Sequence, residues 1–417
     1  MERRRYDVVV VGGGPAGCMA ARYAAKAGVS TLLLEEHASI GEPVHCAGLL
    51  STRALAEGEL ENPEWCVSRE IKGAVIYSPS HQLLLESPTQ RAYAVRRDRF
   101  DQALANAAVK AGAELMLKCT VKMVQIGDAG CMLTVATETP KVTREITARV
   151  VIGADGVRST VARSAGLRTT QRYLHCGQIE GDYEAESNYA EIFVGKGVAP
   201  GFFAWAIPLD TRRRARIGLC IDRQCASQTN PLAFLKRNLA EHRVLARKFG
   251  GAVFLRSAGT IPLPMDGGKR KKTLHVAHGS GILLVGDAAA QIKPITGGGV
   301  YYGLRCGKLA GAQAAQACLT GDMTVLHDYE RRWRAELGRE IAFGLMVHRL
   351  RCVMNDRDYD TLIRTISESE LVERIAAKGD MDYPSLALRG LIRNPQLLPL
   401  MARSIVKYLY TRWSKVN

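Results

Sequence analysis

The chain has 417 residues, 47% hydrophobic and 24% charged. It is long enough for two or three structural units around a sizeable core, and its mixed composition excludes a disordered chain or a disulfide-stapled miniature. A formal net charge of +16 suits an anionic partner, while eleven cysteines without a CxxC pair or a local Cys/His cluster argue against structural zinc or an iron–sulfur centre. Those cysteines are expected to be reduced thiols in a cytosol, with no metal site.

The opening MERRRYDVVVV leads directly into a strand, without a signal peptide's apolar stretch and cleavage site, and no apolar run reaches membrane-spanning length. A cytoplasmic location is therefore expected. In YDVVVVGGGPAGCMAARYAAKAGVSTLLLEE, Val8 to Val11 predict a buried parallel strand, the Ala-rich residues to about Lys26 a helix that Gly28 ends, and Thr31 to Leu34 the next strand. This is one complete βαβ unit. Gly12, Gly14 and Gly17 fit GxGxxG between its first strand and helix, where glycines allow a tight turn and close approach of backbone to a pyrophosphate at the helix N-terminus. Glu35, at the end of the second strand, stands where a carboxylate accepts hydrogen bonds from a ribose diol. Together they predict dinucleotide binding.

Between Ile71 and Val95, GAVIYSP and HQLLLES alternate as antiparallel strands. RRDRFDQALANAAVKAG then predicts a helix with Phe100, Leu104, Ala107 and Ala111 on one face, Asp98 as N-cap and Gly112 at its end. Short strands lead to ARVVIGADGVRST, where Asp155 and Gly156 follow an apolar strand, and residues 168–263 are again strand-rich. Within them PGFFAWAIP, from Pro200 to Pro208, is either a strand packed into a core or an aromatic wall for a ligand. The basic runs RRRAR (212–216) and GKRKK (268–272) fall where solvated loops are expected. GILLVGDAAAQIKPITGGGVYYG puts Gly286 and Asp287 after another strand; taken alone, GAD and GDA also suit ordinary strand-end turns.

Beyond residue 322 the pattern is helical, with Tyr329, Trp333, Leu337, Ile341 and Leu345 at four-residue spacing. No acidic residue follows Asp382. There Arg389, Arg393, Arg403, Lys407, Arg412 and Lys415 interleave with Leu400, Ile405, Leu409 and Trp413. Such a segment can lie on an anionic membrane or pack as a terminal helix with a wet basic face.

The three motifs, in this order, resemble the FAD-dependent family that includes aromatic hydroxylases, flavin halogenases and geranylgeranyl reductases. The resemblance implies that Asp287 binds the ribityl chain and that the loop Pro294 to Gly299, with Gly298, Gly299 and Val300, lies beside the isoalloxazine. It also implies that Arg97 of RRDRFD lies near the cofactor, and Val121 near the adenine. EEHASIGEPVHCAGLLS resembles archaeal geranylgeranyl reductases, which saturate isoprenoid chains of membrane lipids. Cys46 then faces the flavin, with Ala47 and Leu49 giving backbone contacts, although CAGLL departs from the family's cysteine, glycine, glutamate, glycine. On its own Cys46 also suits a small buried hydrophobe. PGFFAWAIP resembles those reductases' PxxYxWxFP, retaining Pro200, Trp205 and Pro208 with Phe203 and Ile207 substituted, so that Phe203, Trp205, Ile207 and Pro208 line a substrate channel. FAWAIP is also similar to the halogenase WxWxIP, which keeps a monooxygenase or halogenase as the alternative.

The fold class implied is α/β: a glutathione-reductase-like FAD-binding fold (1–70, 96–167, 273–321) with an inserted antiparallel sheet domain (71–95, 168–272) and a helical C-terminal region (322–417). The reading is an FAD-dependent geranylgeranyl reductase acting on a geranylgeranylated lipid or prenyl diphosphate. No second GxGxxG follows a strand, so electrons are expected from transient NAD(P)H or reduced ferredoxin. Cys46 is the catalytic candidate at the reacting face and the adjacent His45 a second one. Peripheral contact with the inner face of the cell membrane is expected, and no nucleic acid, since no RNA-binding module is recognised.

Overall fold

The computed structural model describes residues 4–413 apart from 88–90, 139–140, 187, 210–212, 227–229, 266–271 and 393. The predicted βαβ unit forms as strand Arg4–Val11, helix Pro15–Lys26 and strand Thr31–Leu34. Val8 pairs in parallel with Thr31 on one side and with Val150 on the other. The resulting sheet runs in the order Leu274–Val276, Gly281–Leu284, Lys141–Gly153, Arg4–Val11, Thr31–Leu34, Glu114–Met116, with the strands Cys119–Gly127 and Gly130–Glu138 branching from Lys141–Gly153. Val8 to Val11 are buried because both faces of this sheet are covered, which is why they read as an unbroken apolar run.

One face is covered by helices Pro15–Lys26 and Val300–Thr320, which pack closely through Gly303, Gly307 and Gly311. A Cβ on Gly307 or Gly311 would lie 2.2 Å from the carbonyl oxygen of Ala16 or Ala20. The helix Arg97–Lys110 packs beside them, with Phe100, Leu104 and Ala108 buried. Its N-cap is Arg96, and the expected cap, Asp98, sits two residues inside, where its carboxylate accepts from Arg96 Nη2 at 2.7 Å. Ala107 and Ala111 are half-buried, the buried stripe passing through Asp101, Ala105 and Ala108 instead.

The second sheet has seven strands in the order Phe249–Pro264, Thr170–Tyr183, Arg214–Asp222, Ala204–Pro208, Tyr189–Phe193, Gly73–Tyr77, Gln82–Glu86. All its pairings are antiparallel except that between Tyr189–Phe193 and Gly73–Tyr77. Ala92–Val95 does not join it. This strand pairs with Leu49–Ser51 and Val67–Ile71 in a separate three-stranded sheet, so that it clasps the cysteine loop to the cofactor side.

Two expectations are corrected here. Cys176 and Cys220 are register partners on adjacent strands, their Cα atoms 4.1 Å apart, and they form a disulfide, so not all cysteines are reduced thiols. Neighbours across an antiparallel pair share one face, a proximity that sequence separation hides. The run RRRAR is not simply a solvated loop: Arg213 and Arg214 are exposed and pair with Asp182 and Glu180, but Arg216 is buried inside its strand. Arg212 and most of GKRKK lie outside the described residues.

The long helix His327–Val353 buries Tyr329, Trp333, Leu337, Ile341 and Leu345 as its spacing predicts. Four shorter helices follow, Asp356–Ser367, Leu371–Lys378, Ser385–Ile392 and Leu398–Trp413. Among the described residues no helix is long and apolar enough to cross a membrane.

Candidate active site

A cavity of about 820 Å³ runs between the two large sheets. Its cofactor end is built on the glycine turn. Gly17 and Gly12 are required by close approach: a Cβ on Gly17 would stand 1.9 Å from Gly12 O, and one on Gly12 2.4 Å from Ala154 O. Gly14 has nothing within 4 Å of its Cβ position and faces the cavity at the helix N-terminus. Glu35 is buried, and its Oε2 accepts from Gly13 N at 2.6 Å while Oε1 accepts from His37 N at 2.9 Å. Those bonds orient the carboxylate beside the glycine turn and leave lone pairs for further donors.

Asp287 is half-buried and opens on the cavity, and desolvation, partly offset by the Arg97 charge, pushes its carboxyl up to about 6. Its side chain makes no hydrogen bond among the described residues, so it presents unpaired acceptors to whatever fills the space. Gly298, Gly299 and Val300 line the cavity beside it. An open glycine turn at a helix N-terminus and an unpaired, half-buried carboxylate facing the cavity fit the pyrophosphate and ribityl hydroxyls of FAD.

Not every expected cofactor residue is arranged this way. Asp155 does not line the cavity, and its carboxylate is taken by Ser159 Oγ at 2.6 Å and by Thr160 N and Val161 N at 2.7 and 3.1 Å, capping the helix Thr160–Ser164. Val121 is buried in strand Cys119–Gly127, packed with Leu34 and Val135 and away from the cavity wall. Gly12, Gly17 and Glu35 support the turn from behind.

The cysteine loop crosses the middle of the cavity, with His45, Cys46, Ala47 and Leu49 on its surface. Gly48 N donates to Cys46 Sγ at 3.4 Å, and beside the loop the Arg97 guanidinium bridges to Asp101 at 2.8 Å. Burial alone would lower the Arg97 pKa, but Asp101 and Cys46 outweigh it and keep the cation charged. Two residues that sequence reasoning missed hold the loop. Arg216 Nη1 donates to Val95 O at 2.8 Å and Ala47 O at 3.2 Å, and Gln178 Nε2 donates to Cys46 O at 3.4 Å. Only the alternation of RARIGLCID, which points Arg216 inward, could have flagged the arginine.

The far end is the aromatic wall. Strand alternation sends Ala204 and Ala206 into the core behind and turns Phe203, Trp205 and Ile207 onto the cavity. Trp205 Nε1 donates to Gln178 Oε1 at 3.2 Å, so one glutamine ties wall to cysteine loop. Phe202, not among the expected residues, also lines the cavity and stacks on Phe203 with centroids 4.5 Å apart. Pro208 and Pro200 are buried outside the lining; Pro200 O accepts from Asp222 N at 2.9 Å. Lys293 lies beside Gly298 and pairs with Asp382 at 2.8 Å, linking the cofactor loop to residues 379–388, several of which line the cavity.

Residues 5–336 match the FAD-binding domain family. The digeranylgeranylglycerophospholipid reductase of Methanothrix thermoacetophila is 35% identical over 415 residues, covering 94% of this chain and 98% of the relative, and reductase 2 of Methanothermobacter thermautotrophicus is 34% identical over 393 residues, covering 92% and 98%. The chain belongs to the digeranylgeranylglycerophospholipid reductase family of FAD-binding proteins. A geranylgeranyl bacteriochlorophyll reductase-like structure from Thermoplasma acidophilum shares the family's architecture, with a TM-score of 0.82, 26% identity and coverage of 96% of this chain and 100% of that one. The myxobacterial chondrochloren halogenase, at 19% identity, TM-score 0.65 and 97% coverage of both chains, shares the fold. This reductase-family chain is an FAD-dependent oxidoreductase with the mixed α/β fold its sequence implied.

Proposed function

We propose that the protein saturates C=C bonds of geranylgeranyl chains in isoprenoid membrane lipids. The observation that carries this is a mostly apolar cavity continuous from the FAD cradle, past Cys46, to Phe203, Trp205 and Ile207. Bound reduced FAD supplies a hydride to one alkene carbon, and the other carbon must take a proton.

The chain's own residues then have separable tasks. An isolated alkene offers no polar handle, so the wall binds it through buried apolar area, roughly 25 cal/mol per Å², and holds it against the cofactor face with water displaced. Cys46 stands between the two ends, and its thiol is the proposed proton source at Sγ. Gly48 N donates to that sulfur at 3.4 Å and orients it within the loop. Gln178 and Arg216 fix the loop so that the sulfur stays in register with Trp205. His45 also faces the cavity and is the nearest alternative donor.

The proposed substrate is a geranylgeranylated glycerophospholipid, with a prenyl diphosphate as a smaller member of the same class. Electrons come from an external donor, NAD(P)H bound transiently or a reduced ferredoxin. The protein acts from the cytoplasmic side, resting on the inner face of the membrane. What supports this is the helix Leu398–Trp413, whose Leu398, Ile405, Val406, Leu409 and Tyr410 are exposed along one side, and the exposed Leu386 next to the cavity-lining Ala387 and Leu388. The basic residues are less uniformly outward than their spacing suggests: Arg403 and Lys407 turn inward to the buried Asp358, and Leu400 is core, while Arg389 is exposed. Arg393 and Lys415 lie outside the described residues, as do the side chains of Arg412 and Trp413. Cosedimentation with anionic liposomes at moderate salt is expected, and its failure removes the membrane reading.

The activity is tested by the mass of a geranylgeranylated glycerophospholipid after anaerobic incubation with dithionite-reduced, FAD-loaded protein. Gains in steps of two hydrogens are expected. An unchanged lipid, with oxygen or halogen added to another substrate only in air, would replace this reading with the oxygenase one.

A further inference from the structure

Behind the aromatic wall, off the cavity, the fold assembles a second group of reactive side chains. Asp222 ends its strand, and Cys225 follows in a turn in which Cys225 N donates to Asp222 O at 2.8 Å. His348 and Cys352 lie one turn apart on the long helix and meet Asp222 there. Asp222 Oδ2 is 3.0 Å from His348 Nε2 and accepts from Arg172 Nε at 2.7 Å; Arg172 Nη2 donates to Cys352 Sγ at 3.3 Å. Cys225 Sγ and Asp222 Cβ both lie 2.8 Å from where a Cβ on Gly201 would stand, and Cys352 Sγ is 3.9 Å from Asp222 Oδ2, so both sulfurs flank the Asp222 side chain. Tyr359 and Phe202 complete the surroundings.

The trio Asp222, His348, Cys352 has donor atoms close enough to invite a cation, but the histidine tautomer opposes it. Arg351 Nη2 lies 3.2 Å from His348 Nδ1, and a guanidinium can only donate, so Nδ1 is the acceptor and Nε2 carries the proton. A metal would need the lone pair of that Nε2, which instead points an N–H at Asp222 and at Cys352 Sγ, 3.6 Å away. Arg172 already sets a positive charge against the carboxylate and the sulfur.

The same features favour negative charge on sulfur. The neighbouring Cys225 thiol, then His348 and the Arg172 charge, hold the Cys352 thiol below the ordinary range against the opposing effect of burial, while the Cys225 thiol is pushed well up, first by the neighbouring Cys352. One sulfur is thus set up as thiolate and its neighbour as thiol, and both side chains are partly exposed.

We propose that Cys352 and Cys225 form a peroxide-reactive dithiol, with Cys352 the attacking sulfur and Cys225 the resolving one. The Cys352 thiolate attacks one oxygen of hydrogen peroxide; the O–O bond breaks, leaving a sulfenic acid on Cys352 and, after protonation, water. Cys225 sulfur then displaces the sulfenic hydroxyl, which leaves as a second water with the Cys225 proton, and the S–S bond closes. The two thiols lose two electrons and the peroxide gains them. A reduced flavin meeting oxygen is a general source of peroxide, so a flavoprotein can itself be the source of the oxidant. The bond would also tie the long helix to the sheet one turn from Arg351, which donates to the carbonyls of Pro294 and Ile295 and lies over the Phe202 ring at 4.3 Å.

The test uses FAD-loaded protein, reduced with a mild thiol, freed of it, and treated anaerobically with equimolar hydrogen peroxide before alkylation and peptide mass analysis. A Cys225–Cys352 cross-link two hydrogens lighter than the free pair is expected, with Cys46 still alkylated. In C225S, dimedone should label Cys352, and in C352S neither product should form. In wild-type protein at pH 6, iodoacetamide should label Cys352 at least about tenfold faster than Cys225. Equal labelling of the two at pH 6, or peroxide that leaves both sulfurs free while Cys46 oxidises, overturns the proposal even if a variant fails to fold.

Discussion

At its cofactor end the cavity is surfaced largely by backbone, at Gly14, Gly298 and Gly299; at its far end it is surfaced by side chains, at Phe203, Trp205, Ile207 and Gln178. The first kind of surface depends on the turn behind it, where Gly12 and Gly17 bring main chains so close that a single methyl group is too large. The second depends on apolar volume and orientation, which several residue types can supply. Phenylalanine in place of the tyrosine and isoleucine in place of the phenylalanine of PxxYxWxFP belong to the tolerant end, and the intact GxGxxG to the intolerant one.

That contrast predicts a graded response. Gly17→Ala, whose Cβ would stand 1.9 Å from Gly12 O, should weaken FAD retention by about 100-fold or more, on the order of 3 kcal/mol, read as loss of flavin absorbance after gel filtration. Binding close to that of the wild type would mean that the turn can open, and the contrast would fail.

Asp287→Asn comes next, with an expected loss of about 10- to 100-fold in FAD affinity, the range for a hydrogen bond to a charged group worth roughly 1.5–3 kcal/mol. The apoprotein gives an independent readout. A carboxyl whose folded pKa is pushed up to about 6 contributes stability that is fully present below its unfolded value and is lost as pH rises through the folded one. The melting temperature of wild-type apoprotein should therefore fall relative to that of Asp287→Asn between about pH 4 and pH 6. Parallel curves would show that the carboxyl is not held neutral.

Trp205→Ala should be mildest for the cofactor. FAD retention stays within about twofold, while kcat/KM for the prenyl lipid falls about tenfold, since the indole and its bond to Gln178 act at the other end. Equal losses in both would show that the cysteine loop couples the ends too tightly to separate them.

How much of this was legible follows from the same distinction. The glycine turn, Glu35, the Asp287 loop and the four-residue stripe from Tyr329 to Leu345 are local patterns whose meaning survives without a partner. The Cys176–Cys220 bond, buried Arg216, Gln178 and the Asp222, His348, Cys352 group each depend on which strand or helix lies opposite, over separations that no local spacing encodes. Asp155 shows the converse. Its motif was recognised, yet within the protein the carboxylate caps a short helix, because the Ser and Thr that follow it put donors within reach.

The close contact of Gly307 and Gly311 with Ala16 and Ala20 fixes more than a packing distance. It sets two helices side by side with both N-termini, at Gly14 and Gly299, on the cavity. Each end carries the equivalent of roughly half a positive charge, so together they aim about one elementary charge of field into the cofactor end. None of that field comes from an ionisable side chain. It persists at any pH at which the fold stands, and it offers an anion a welcome that no proton can withdraw.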